Sequence, residues 1–222
     1  MRATWIGVQG AEPDLVLAAL GLEPVPDAPA DYVFSGDFAC RTFPGGWFVV
    51  TSIQGLDLAD DLATAAATTD QMAVGCEMST IVMWSEAHGY NGGQFQWSVT
   101  HNPDDEARPL AVEGAQPAIL ANFVALAIKA QADEDDVDYV FEVPMQLVGH
   151  YTGFVYNDEE APPDWVILRS ARPERHSDRR PHRRKRPRPL LWFLLFIVVA
   201  AVLIRLFIVG AAEFIRVLQA II

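Results

Sequence analysis

With 222 residues and a formal net charge of −13, the chain has room for one ordinary domain plus appendages. The charge is segregated: residues 1–170 hold 26 acidic and 5 basic side chains, a balance of −21, while 171–189 carry +7 and 190–222 carry +1. Two cysteines, Cys40 and Cys76, are too few for a disulfide-built scaffold, so reduced, buried thiols are expected.

In chain order, residues 3–9 alternate enough for a first strand. Residues 1–10 are not followed by the long apolar run of a secretory signal, because Glu12 and Asp14 interrupt the next apolar stretch. Residues 12–22 have helical character, with Leu15, Ala18, Ala19 and Leu22 at helical spacing, and Pro24, Pro26 and Pro29 predict a loop. Aromatic and branched residues over 31–43 and 47–53 flank Phe43-Pro44-Gly45-Gly46-Trp47 and predict a hairpin. The Ala-rich stretch 57–68 predicts a helix. Residues 76–85 and 94–101 predict two strands joined by a glycine-rich loop over 86–93. The second strand is the clearest in the chain, with Phe95, Trp97, Val99 and His101 alternating with polar residues. A short strand over 110–112 precedes a helix starting at Pro117, with Ile119, Leu120, Phe123, Val124, Ala127 and Ile128 on one face. Residues 139–142 read as extended, and 144–151 as a short helix stopped by Gly153.

Strands outnumber helices, and neighbouring strands can pair through hairpins. The expected class is therefore α+β, a largely antiparallel sheet with helices packed on one side, followed by a single C-terminal transmembrane helix. The irregular order of strand and helix argues against a doubly wound nucleotide-binding fold.

The membrane helix rests on residues 190–210, which are apolar or aromatic except for Arg205 and end on a glycine; Leu190, Trp192, Phe193, Phe196, Ile197, Ile204 and Phe207 are the lipid-facing candidates. At 1.5 Å per residue this helix is about 31 Å long, the thickness of the hydrocarbon layer. Its sixteen Leu, Ile, Phe and Val residues contribute roughly −0.3 to −0.6 kcal/mol each, which outweighs about +2.5 to +3.5 for one Arg. Immediately before it, Arg183, Arg184, Lys185, Arg186 and Arg188 satisfy the positive-inside bias and place the N-terminal domain on the cytoplasmic side of a tail-anchored arrangement in the cell (inner) membrane. Residues 171–189, ARPERHSDRRPHRRKRPRP, are proline-broken and read as an extended stalk of roughly 59 Å at full stretch. The expected partner of that stalk is anionic lipid headgroups. Nucleic acid ranks second, since no aromatic residue is interleaved to stack a base. In the tail over 211–222, Glu213 and Arg216 fall on the same helical third as Arg205 and Gln219, a stripe that suits an interfacial helix or a helix–helix seam.

Within residues 1–170 no Gly-x-Ser-x-Gly elbow, phosphate loop, His-Glu-x-x-His or cofactor fingerprint occurs. The titratable candidates are His101, on the apolar face of its strand, with Glu77 or Glu113 as conceivable partners, and His88 with Asn91 beside Tyr90 in the glycine-rich loop. For each, a plain structural role comes first. Residues 133–138 resemble a cation loop but lack the turn glycine and distal Glu, and a solvated acidic loop is expected instead.

The runs Phe95-Gln96-Trp97-Ser98-Val99-Thr100-His101, Leu110-Ala111-Val112-Glu113-Gly114, Asp138-Tyr139-Val140-Phe141-Glu142-Val143-Pro144 and Thr152-Gly153-Phe154 resemble small uncharacterised bacterial proteins over roughly residues 75–154. The resemblance implies a bacterial cytoplasmic α+β domain and supplies no catalytic residue. The stalk and membrane helix stand outside it.

The function expected from these features is a membrane-anchored binding or adaptor module for an unidentified protein partner. A small hydrolase or transferase using His101 or His88 is second, and a membrane-complex subunit joined through the stripe of Arg205, Glu213 and Arg216 is third. The segregation of charge gives a direct expectation: in a liposome pelleting assay with anionic vesicles, a chain ending at residue 188 binds and one ending at residue 170 does not. Equal binding by the two would contradict it.

Overall fold

The computed structural model describes residues 1–26, 28, 37–53, 55–105, 110–134, 137–156 and 164–171. The chain divides into two units, Met1–Pro173 and Glu174–Ile222. The basic stalk beyond residue 171, the expected membrane helix over 190–210 and the stripe of Arg205, Glu213 and Arg216 all lie outside the described residues. Among the described residues no helix is long and apolar enough to cross a membrane.

In chain order the elements are β1 (Arg2–Gln9), α1 (Pro13–Leu20), β2 (Leu22–Pro24), β3 (Phe38–Phe43), β4 (Trp47–Ser52), α2 (Leu58–Thr69), β5 (Met72–Ser79), β6 (Trp84–Asn91), β7 (Gln94–His101), β8 (Leu110–Gly114), α3 (Leu120–Asp133), a 3-10 turn (Tyr139–Glu142), α4 (Val143–Thr152) and β9 (Val166–Ser170). The strands form one sheet in the order β2-β9-β3-β4-β1-β5-β6-β7-β8, and every neighbouring pair is antiparallel. The α+β class with a large antiparallel sheet is thus the architecture of the domain.

The helices cover both faces of the sheet, a correction to the one-sided packing expected. In β1 six consecutive residues are buried, and so are all six of β4. Successive side chains point to opposite faces, so such a run needs an apolar cover on each. On one face Trp5, Val49, Cys76 and Val99 pack with Leu120 of α3 and Val143, Leu147 and Val148 of α4. On the other, Ile6, Val8, Val50 and Ala73 pack with Val16 and Leu17 of α1 and Leu58, Leu62, Ala65 and Ala66 of α2.

Local chemistry explains how the covering helices are set. Pro13 opens α1, and Gly21 closes it at φ 68 with its N–H on the carbonyls of Ala18 and Leu17. The Asp57 carboxylate caps α2 by accepting from the Asp60 N–H at 3.1 Å. Leu58, Leu62, Ala65 and Ala66 then recur on one stripe. Gly75 lets that stripe come down on β5: a Cβ there would lie 2.8 Å from Leu58 Cδ1 and 2.9 Å from the Trp5 carbonyl oxygen. On the opposite face an aromatic group anchors the segment after α4. Phe154 meets Trp5 at 5.6 Å, Phe43 at 5.8 Å and Trp165 at 5.7 Å between ring centroids, all edge to face.

Three further expectations are revised. The predicted loop over 86–93 is mostly β6, and the strand predicted over 76–85 is interrupted by a turn at residues 80–83. Gly89, which suggested a loop, is a strand glycine because a Cβ there would overlap the Trp97 indole. Residues 139–142 form a 3-10 turn instead of a strand, since the Asp138 carboxylate caps them. Leu22–Pro24, expected as the end of a helix and the start of a loop, pairs with β9, a strand for which the sequence carried no expectation.

Candidate functional site

His101 ends β7, facing the core that α3 and α4 cover, and is 2 % exposed. Its ring meets Phe141 edge to face at 6.2 Å. Its Nε2 lies 2.9 Å from Asp138 Oδ2. The other oxygen of Asp138 accepts from the backbone N–H groups of Val140 at 3.1 Å and Phe141 at 3.2 Å. One carboxylate therefore holds both the imidazole and the 3-10 turn that leads into α4. Beside it, Ser85, paired with His101 across the ladder, donates its hydroxyl to the Phe141 carbonyl at 2.7 Å. These contacts fasten the turn to the ends of β6 and β7. Next to them opens a cleft of about 490 Å³, bordered by Asn102, Pro103 and Asp105 after β7, Ile128, Gln131 and Ala132 of α3, and Val140. Its volume is in the range of small-ligand sites, and both His101 and Asp138 line it.

The expected partners of His101 are excluded by the pleat. Glu77 follows Gly75 and precedes Met78 on β5, pointing away from the face that holds Met78 and His101. Glu113 stands opposite Ser98, whereas His101 stands opposite Leu110. Asp138 was legible only as one member of an acidic run. A carboxylate just before a helical turn is a capping signal, and reading 139–142 as extended obscured it.

On the other face of the sheet a second polar group forms. Glu77, with a side chain 9 % exposed, is bound by the largely exposed Arg2 guanidinium. Glu86 is its cross-strand neighbour, and Glu86 Oε1 lies 2.6 Å from His88 Nε2. Burial raises the Glu77 carboxyl above its ordinary range. Arg2 pulls it back down, while Glu86 and Asp57 push it further up. His88 is 6 % exposed and packs with Tyr90 and Phe95 at 6.4 and 6.2 Å. Its buried Nδ1 has no hydrogen-bond partner among the described residues. His88 is therefore an interior strand residue and not a loop-tip group, which corrects its sequence placement. Asn91, by contrast, ends β6 exposed at the turn made by Gly92 and Gly93. The structure does not bring His88, Asn91 and His101 together: His88 and His101 occupy opposite faces, and Asn91 lies at the far end of the strands from His101.

Cys40 and Cys76 are free and buried. They belong to cores on opposite faces. Burial pushes the Cys40 thiol up to about 12 and raises that of Cys76 well above its ordinary value, so neither supplies a thiolate. Among the described residues no three His, Cys, Asp or Glu side chains are grouped to hold a metal ion. The acidic run ends in Asp138, whose carboxylate serves the turn.

A third feature has no counterpart in the sequence reasoning. β8 terminates the sheet, and four of its five residues are exposed, Val112 at 41 %. Phe95, 44 % exposed, lies on the neighbouring strand β7. Leu110–Gly114 contains neither proline nor lysine, and of the features that blunt an edge strand it has its short length and the charge of Glu113. Which strand ends a sheet depends on long-range order, so no local signal marks it.

The fold and its polar groups define an antiparallel α+β domain with a doubly covered sheet and an exposed five-residue edge strand. Comparison with protein-family models, curated proteins and solved structures finds no match for this chain.

The raised carboxyl of Glu77 gives a signed pH dependence. A carboxyl that titrates higher in the folded than in the unfolded state contributes stability fully present below the unfolded value and lost as pH rises through the folded one. Denaturant midpoints measured upward from pH 4 are expected to fall relative to those of Glu77→Gln, whose fold keeps the site neutral. Parallel midpoint curves for the two proteins would contradict the assignment.

Proposed function

We propose that the chain is a membrane-tethered binding module whose acidic domain receives an extended segment of a basic protein partner along β8. The observation that carries this reading is the exposed edge: β8 offers a row of backbone donors and acceptors to which a strand can add, with Val112 and Phe95 exposed beside it. The −21 balance of residues 1–170 favours a basic partner through complementary potential and steers its approach. The apolar run over 190–210 and the basic residues before it support a bilayer tether with the domain on the cytoplasmic side.

The cleft beside His101 favours a second reading, a small hydrolase or transferase. It provides a concave, partly apolar space next to an imidazole–carboxylate pair. It ranks below the binding module for geometric reasons: the Ser85 hydroxyl beside His101 is engaged with the Phe141 carbonyl, and Asp138 is shared with the backbone of the turn. Both groups serve the packing of α4.

The edge reading is tested in native membranes with a photocrosslinker at Glu113. Capture of a basic protein is expected, and Val112→Lys is expected to reduce that capture at least about tenfold while changing domain stability by no more than roughly 0.5 kcal/mol, as for other exposed substitutions. Undiminished capture by Val112→Lys would refute strand addition at β8.

A further inference from the structure

Two hairpins in this sheet are turned in different ways. Between β6 and β7 the chain turns on Gly92 and Gly93, at φ 53 and 75, the residues such a turn favours. Between β5 and β6 it turns through Thr80, Ile81, Val82 and Met83. Here Met83 is forced to φ 48, a left-handed conformation that Gly or Asn adopts at less cost. Ile81 is 80 % exposed, the highest value among the exposed large apolar side chains described, and Val82 is 59 % exposed. Folding gains nothing from two branched apolar residues held in water on a strained turn. Breaks in local rules of this kind cluster at functional sites.

The surroundings indicate what that is. No charged residue occurs from Met78 to Ser85, and Trp84 stands half-buried at the base of the turn, a composition suited to the border between headgroups and acyl chains. Position agrees with composition. Leu168 of β9, Phe38, Ser52, Thr4 and Glu77 of β5 share one level across the sheet. From there β9 runs on to Ser170, and β5 runs on to Ser79 in the same sense. The last described residues, Ser170 and Ala171, therefore lie on the side where Ile81 and Val82 protrude. The intervening strands separate β9 from β5 by about 19 Å.

We infer that the Ile81–Val82 tip inserts into the surface of the bilayer that the apolar C-terminal segment spans, docking the domain by the turn between β5 and β6. The inference rests on residues 190–210 being that span. Two side chains are too small a surface for a stable protein interface, but they suit shallow immersion in lipid. The contact is weak by itself and is populated because the tether keeps the tip at high effective concentration beside the membrane. Asp104 and Asp105, in the segment after β7 on the same side of the sheet, oppose strongly anionic headgroups, so the apolar contact of the tip is isolated on zwitterionic lipid, where the stalk's attraction to anionic lipid is absent.

The test uses the full chain reconstituted into phosphatidylcholine vesicles. An environment-sensitive dye is placed on Ile81→Cys or, as the control at the opposite end of β6, on Asn91→Cys; the native thiols are buried and escape labelling. Vesicle flotation and quenching by spin-labelled phosphatidylcholine are then measured. The expected result is flotation of both proteins, with several-fold stronger quenching at position 81 than at 91, unchanged when protein is diluted in lipid. Flotation with equally weak quenching at both positions would overturn the docking while leaving the span intact. Failure to float would overturn both. A dye response at position 81 that vanishes on dilution in lipid would assign the tip to a second copy of the chain and overturn the inference.

Discussion

The double burial of the central strands is the constraint on which the domain depends. β1, β4 and β5 present apolar side chains on both faces, so the sheet is stable only as the middle layer between α1 with α2 and α3 with α4. Fully burying a side chain the size of Trp5, Ile6, Leu62 or Leu147 contributes about 1.5 to 3 kcal/mol relative to exposure. Dozens of such contributions stand against the conformational entropy of ordering the chain. The glycines follow from this need for close contact: Gly75 admits Leu58 and Gly89 admits the Trp97 indole. Polar groups inside the layers are matched to specific partners, His101 and Ser85 to the 3-10 turn, Glu77 to Arg2.

Burial also falls away across the sheet, and this gradient positions the surfaces that can meet other molecules. β1 and β5 each bury six of their eight residues, β6 and β7 each bury four of eight, and β8 buries none of its five. The rigid centre therefore carries an open edge, on which strand addition needs little rearrangement of the domain. A preorganised edge loses less freedom on binding than a segment that must fold first. The cleft beside His101 and the turn bearing Ile81 lie toward the end of the strands marked by Arg2 and Ser79, whereas the edge runs the length of β8, so these surfaces are distinct.

The sequence was most informative where a single period rules. The alternation of Trp97, Val99 and His101 identified β7, although a register shift at Gly89 and Tyr90 takes Phe95 off their face to meet His88 and Tyr90, and the helical spacing of Leu120, Phe123, Val124 and Ala127 identified α3. It was least informative where tertiary structure overrides local preference. The strand β1, covered on both sides, does not announce that it needs two layers of helix, which is why one-sided packing was expected. Gly89 looks like a loop residue until Trp97 is placed against it. Ile81 and Val82 look like strand interior because their apolar character normally signals burial, and the turn lacks the glycine or asparagine that would have marked it. The His101–Asp138 pair joins positions 37 residues apart through a turn misread as extended. Neither this pair nor the terminal place of β8 has a local signal.

The central claim is a rigid, doubly covered sheet with one edge open to a partner strand. Native-state amide hydrogen exchange on residues 1–171 tests it most directly, because protection follows local opening and coverage. The account predicts that amides of β1, β4 and β5 exchange only through global unfolding, while the outward-facing amides of β8 exchange orders of magnitude faster. Protection across β8 equal to that of β1 would show the edge to be covered already and would contradict the account.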